Sequence, residues 1–105
     1  MSCFQVFVTQ KASDDLSSAM RYISFSLSKA QAAARLLDSF DQLVQKLEAF
    51  ASTYPFVREE IAASAGYRWA QFGNYLAFFR VEEATSTVVI DRISYKKRNW
   101  KALIE

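Results

Sequence analysis

The first apolar run, Phe4-Gln5-Val6-Phe7-Val8, is short and rich in β-forming side chains, and Thr9 follows it where a helix N-cap would sit. The period then changes. Ala12, Leu16, Ala19, Met20, Ile23 and Leu27 recur at intervals of three and four, while Lys11, Asp14, Asp15 and Ser18 fall off that stripe, so an amphipathic helix is predicted. Ser28-Lys29-Ala30-Gln31 has the form of a capping box and predicts the start of a second helix. Ala30, Ala33, Ala34, Leu37, Phe40, Val44, Leu47 and Ala51 hold helical spacing for about six turns, with Leu36, Leu43 and Phe50 widening the stripe. A connection this short makes the two helices an antiparallel hairpin. Pro55 ends the second one, because it lacks an N–H and biases Tyr54 away from the α region.

Residues 58–65 carry enough helix formers for one or two further turns, which Gly66 would close. From Tyr67 the pattern becomes strand-like and aromatic. Residues 67–72 and 75–81 read as strands joined by Gly73-Asn74, a two-residue link suited to a primed hairpin turn. After the polar residues 82–86, residues 87–94 read as a further strand, with Val88, Ile90 and Arg92 on one face and Val89, Asp91 and Ile93 on the other. The first strand must pair with this meander at an edge or in its middle. The expected architecture is therefore α+β in two layers, βααβββ, an antiparallel sheet packed against an α-helical hairpin. Leu76, Phe78 and Arg80 share one sheet face and Tyr75, Ala77, Phe79 and Val81 the other, so both faces are apolar. The hairpin covers only one of them. A partner segment or self-association is the expected cover for the second.

Composition narrows the chemistry. A chain of 105 residues, 51% hydrophobic and 15% aromatic with two Gly and one Pro, is expected to form one domain over residues 1–105, without a disordered tail. Cys3 is the single cysteine and there is no histidine, so neither an internal disulfide, nor a Cys-His nucleophile, nor the usual zinc site can be assembled. No metal and no cofactor are expected. No apolar run approaches the roughly 20 residues that span a bilayer, which leads us to expect a cytoplasmic protein without a membrane partner. Up to Gly66 six basic residues stand against seven acidic ones, a balance of −1; from Tyr67 onward seven stand against four, a balance of +3. A basic functional face thus belongs to the last third.

Arg92, Lys96, Lys97, Arg98 and Lys101 follow one another with no acid between them. They either contact phosphate or an acidic target surface, or form a solvated chain end. Arg92, within an apolar strand, is either a site residue or the partner of a helix acid such as Asp38 or Asp41. Arg68 and Arg80 are either site residues or exposed cross-strand charges opposite Glu82. Trp69, Phe72, Tyr75, Phe78 and Phe79 could stack on RNA bases, although alternation assigns about half of them to a core. Glu59 and Glu60 could serve in acid–base chemistry, but adjacent acids at a helix start more often complement its dipole.

Gly66-Tyr67-Arg68-Trp69, the run from Gly73 through Asn74, Tyr75, Leu76, Ala77, Phe78, Phe79 and Arg80 to Val81, and Arg92-Ile93 leading through Tyr95-Lys96-Lys97-Arg98 to Trp100 give nearly the whole chain a pattern that resembles the RelE/ParE toxin superfamily. The resemblance implies a toxin of a type II toxin–antitoxin or plasmid-stabilisation module, bound by a cognate antitoxin along its helix hairpin or sheet. Either a homodimer or a toxin–antitoxin hetero-oligomer is compatible with it. RelE-like members cut messenger RNA on the ribosome, whereas ParE-like members inhibit DNA gyrase. The nuclease branch carries basic residues where this chain has Ala70 and Leu76, and metal-free RNA cleavage needs a base and cations at one phosphate. The nearest candidates are Arg68, Arg92, Tyr95, Lys97 and Arg98, with Lys96 beside them. A ParE-like toxin is therefore the favoured expectation, its target-binding residues being Arg68, Arg80, Arg92, Tyr95, Lys96, Lys97, Arg98 and Trp100. A ribosome-dependent endoribonuclease and a non-toxic interaction domain of the same fold are the alternatives.

Overall fold

The computed structural model describes residues 3–58 and 66–104. Thr9 caps the first helix as its sequence predicts, its hydroxyl accepting from the Ala12 N–H at 3.1 Å and donating to the Asp91 carbonyl at 2.9 Å. Strand β1 (Gln5–Val8) thus passes directly into helix α1 (Gln10–Arg21), with the turn tied to the far end of the chain. A π-helical turn, Tyr22–Ser26, extends α1, and helix α2 (Ala30–Phe50) returns antiparallel to it. The expected capping box does not form. Ser28 lies in the left-handed region at φ 53°, Lys29 takes the N-cap position, and no side chain caps α2.

The buried stripe of α2 is Ala33, Leu36, Phe40, Leu43 and Leu47, a spacing of three and four. Ala30, Ala34 and Leu37, expected in the main stripe, are exposed, whereas Leu36 and Leu43, expected only to widen it, are buried; Phe50 is exposed too, so the buried face is rotated from the expected one. Three strands follow: β2 (Arg68–Phe72), β3 (Tyr75–Glu82) and β4 (Thr87–Tyr95). Gly73 at φ 57° begins the two-residue turn between β2 and β3, with Phe72 paired to Tyr75 across it. The sheet order is β1-β4-β3-β2. The meander is antiparallel, and β1 joins it at an edge, parallel to β4, as a connection through a helix hairpin permits.

A β-bulge changes the expected alternation of β4. Phe78 pairs with Arg92 and Phe79 with Ile90, which leaves Asp91 without a place in the backbone ladder with β3. Ile93 is thereby moved to the face of Val88 and Ile90, and the three are buried together under the helices. That core also holds Phe4, Ala12, Phe72, Ala77 and Phe79. The predicted faces of β3 are observed, since Phe78 and Leu76 belong to a separate cluster from Ala77 and Phe79.

The second apolar face is covered by the chain itself rather than left to a partner. Val57 and Ile104 pack on Phe78, with Trp100, Leu103, Trp69 and Tyr67 around them. Trp100 lies 5.1 Å from Phe78 between ring centroids. Two short pieces supply this cover. Residues 55–57 bond to the outer edge of β2, where the Val57 N–H donates to the Tyr67 carbonyl and the Trp69 N–H to that of Pro55. A single helical turn, α3 (Lys101–Ile104), brings in Ile104. The expected turns over residues 58–65 and the Glu59-Glu60 pair lie outside the described residues, apart from Arg58.

Candidate functional site

Past the end of β1, the edge of β4 meets α1. Asp15 on α1 accepts two bonds from Arg92, at 2.8 Å from Nε and 3.0 Å from Nη2, and a third from the Ile93 N–H at 3.0 Å. Three donors on one carboxylate make this the strongest polar link between helix and sheet in the described residues. The hydrogen bond to Asp15 raises the Arg92 guanidinium above its ordinary range, burial opposing it. The partner of Arg92 is thus a helix acid, but it is Asp15 rather than Asp38 or Asp41. The bulge explains this choice: it shifts the register of β4 by one residue where the strand passes α1.

Beyond that clamp, a groove of about 920 Å³ opens between the helix hairpin and the end of β4. Arg92, Tyr95 and Arg98 line it, so three of the residues expected at the site are brought together. Tyr75, one of the residues expected either to stack on bases or to join the core, also lines it, as do Asp15, Tyr22 and Lys29, which the sequence pattern did not mark. Asp15 falls off the apolar stripe of α1, the one signal that could have marked it. Tyr75 meets Tyr95 edge-on at 5.5 Å, and burial first, then the neighbouring Tyr95, raises its phenol above 10.0. A phenol shifted upward stays protonated near neutrality.

Lys96, Lys97 and Arg98 are exposed in the turn after β4, where the Lys96 N–H donates to the Asn74 carbonyl and the Arg98 N–H to that of Tyr95. No ion pair among the described residues engages them. Trp100, an expected target contact, is partly buried against Phe78.

Two other expected site cations lie elsewhere. Arg68, on the edge strand β2, stacks 3.9 Å over the Phe56 ring and donates to the carbonyls of Tyr54 at 2.6 Å and Ser52 at 3.2 Å. Arg80 pairs with Asp91 at 2.8 Å across β3 and β4, not with Glu82, and lies 5.6 Å from the Tyr67 ring. Burial first, then the Asp91 hydrogen bond, raises the Tyr67 phenol. Among the described residues no helix is long and apolar enough to cross a membrane, and no group of three His, Cys, Asp or Glu side chains could hold a metal ion.

Residues 6–100 match the family described as the ParE toxin of type II toxin–antitoxin systems, parDE. No curated protein matches the chain. Among solved structures, the chromosomal ParDE system from P. aeruginosa is similar with a TM-score of 0.71 at 21% identity, covering 90% of this chain and 98% of that one. A RelBE toxin–antitoxin complex from Mycobacterium tuberculosis gives 0.58 at 22% identity, covering 89% and 98%. The archaeal RelE–RelB complex from Pyrococcus horikoshii OT3 gives 0.50 at 14% identity, covering 93% and 99%. At these identities the likeness is one of fold.

Proposed function

The chain belongs to the ParE toxin family of type II toxin–antitoxin systems, and on that premise we propose that it inhibits DNA gyrase in the cytoplasm by binding, without cutting nucleic acid. An antitoxin neutralises it, and the pair acts in growth control or plasmid stabilisation. Target contact is made by Lys96, Lys97 and Arg98, with Tyr95 and Arg92 behind them.

One observation supports the non-nucleolytic reading: Arg68 and Arg92, two of the cations that a metal-free nuclease would gather at one phosphate, are held apart. Arg68 on β2 is bonded to the carbonyls of Ser52 and Tyr54, and Arg92 on β4 is clamped to Asp15 of α1. Strand β3 lies between them, a separation of about 10 Å at normal strand spacing. Phosphorane stabilisation requires donors within hydrogen-bond reach of the same oxygen atoms. The cationic turn, by contrast, is exposed and carries no internal ion pair, as suits an acidic protein surface or a nucleic-acid backbone.

The test is a supercoiling assay with purified gyrase, beside primer extension on ribosome-bound message. Inhibition of supercoiling with intact message supports the reading; cut message with unaffected supercoiling replaces it with the endoribonuclease. Normal growth on induction, with neither effect, would leave an interaction domain.

A further inference from the structure

We propose that the tip of the helix hairpin is a second arm of the target surface, where Phe25 enters an apolar pocket within an acidic patch of the protein that the toxin inhibits. The inference deepens, and rests on, the reading of Lys96, Lys97 and Arg98 as the target contact.

The tip is built to stay open. Phe25 falls off the apolar stripe of α1 and stands between Ser24 and Ser26, whose side chains are too short to cover a ring. It is 77% exposed, the most open large apolar residue among those described, and no ring contact among them involves it. The backbone fixes this display. The Leu27 N–H donates to the Tyr22 carbonyl at 3.2 Å, closing the π turn, and the Lys29 N–H donates to that of Ile23 at 3.0 Å. Ser28 then takes the left-handed region at φ 53° to enter α2. Isolated π turns and left-handed non-glycine residues gather at functional places. A single exposed aromatic residue is ordinary, but Tyr22 at 56% and Leu27 at 44% exposure flank Phe25 and enlarge the patch.

Charge selects the partner. Between Asp15 and Asp38 the chain carries Arg21, Lys29 and Arg35 and no acid. All three are exposed, and no ion pair among the described residues engages them. The stretch from Arg92 to Lys101 is likewise free of acids. An acidic surface is therefore attracted by both segments.

Continuity makes them one surface. Tyr22, Leu27 and Lys29 line, from the hairpin side, the same groove that Tyr95 and Arg98 line from the end of β4. Burial, then Tyr95, then Tyr22 raise the Tyr75 phenol, which sets Tyr22 beside the strand end.

The spacing favours protein over nucleic acid. Phosphates repeat about every 3.4 Å along a strand, whereas the cations of the tip are spread among serines and aliphatic side chains. A protruding ring with charges around it has the form of a protein–protein anchor, a buried aromatic centre inside a polar rim.

The experiment is gyrase supercoiling titrated with the full chain as wild type, Phe25→Ala, Phe25→Leu, and Arg21→Glu with Lys29→Glu, all at the same thermal midpoint. Phe25→Ala should weaken inhibition by about tenfold or more, while Phe25→Leu, which still fills an apolar pocket, should stay within about threefold of wild type. The charge variant should also weaken inhibition by about tenfold, by an amount that shrinks as salt is raised. Inhibition by Phe25→Ala equal to that of the wild type removes the tip alone, whether the substitution then weakens self-association, binding to anionic vesicles or neutralisation by an antitoxin. A loss from Phe25→Leu as large as that from Phe25→Ala, or none from the charge variant, also overturns the proposal. Growth on induction keeps the two readings apart. Where the wild type arrests growth with supercoiling and message intact, relief of arrest by Phe25→Ala keeps the tip and removes gyrase alone, and unrelieved arrest removes both. Cut message, or no arrest, removes both as well.

Discussion

Under the helix hairpin the sheet buries Val88, Ile90, Phe79 and Ala77 with Leu36, Phe40, Leu43 and Leu47 of α2, whereas on its opposite face Phe78 is buried with Val57 and Ile104. The first cover is a helix of 21 residues; the second is a three-residue edge segment and a helical turn of four. Both faces exclude water at their centres, as Phe79 at 0% and Phe78 at 1% exposure show. What differs is how the cover is anchored. The hairpin is fixed by its own backbone bonds and by the Asp15 clamp, while α3 is too short to persist without the contacts it makes. Local opening should therefore begin on the second face, next to the cationic turn.

Substitutions can break or sharpen that contrast. Leu47→Ala, at a position with no exposure, should destabilise the fold by about 2–5 kcal/mol in urea denaturation. Asp15→Ala leaves a half-buried Arg92 without its carboxylate and the Ile93 N–H without its acceptor, and should cost about 1.5–3 kcal/mol in the same measurement. Ile104→Ala should cost about 2 kcal/mol or less, because a helical turn of four residues can settle into the vacated space, and it should speed amide exchange in α3 without changing that of α2. Equal losses from Leu47→Ala and Ile104→Ala would end the claim that the two covers differ. Arg80→Ala, removing an ion pair whose guanidinium side is half exposed, should cost less than about 1 kcal/mol, and less still in 1 M salt, which screens the pair.

The same contrast explains which parts were legible in the sequence. Helix periodicity over α2 and alternation in β3 are repeated many times, so Leu47, Phe40, Ala77 and Phe79 declare their face from spacing alone. The second cover offers no such repetition. Val57 stands beside Pro55 in a segment without a period, and Ile104 near the chain's end, so the exposed-looking face of Phe78 invites an outside partner until the fold is seen. The site divides likewise. Lys96, Lys97 and Arg98 are legible as a run of charge, and Arg92, Tyr95 and Arg98 do share one groove. The bulge at Asp91 is a tertiary event in which one residue loses its partner, and it redirects both Ile93 and the choice of acid for Arg92. Nothing in the local pattern of residues 87–94 marks it. The capping-box pattern at Ser28 fails for a related reason: the π turn places Ser28 in a left-handed conformation, where its hydroxyl does not serve α2.

The most direct measurement is the supercoiling activity of gyrase titrated with the wild-type chain and with the Lys97→Ala, Arg98→Ala double variant, both checked for the same denaturation midpoint. Inhibition by the wild type and a loss of at least about tenfold in potency for the variant are expected. Undiminished inhibition by the variant, or none by the wild type, would contradict it.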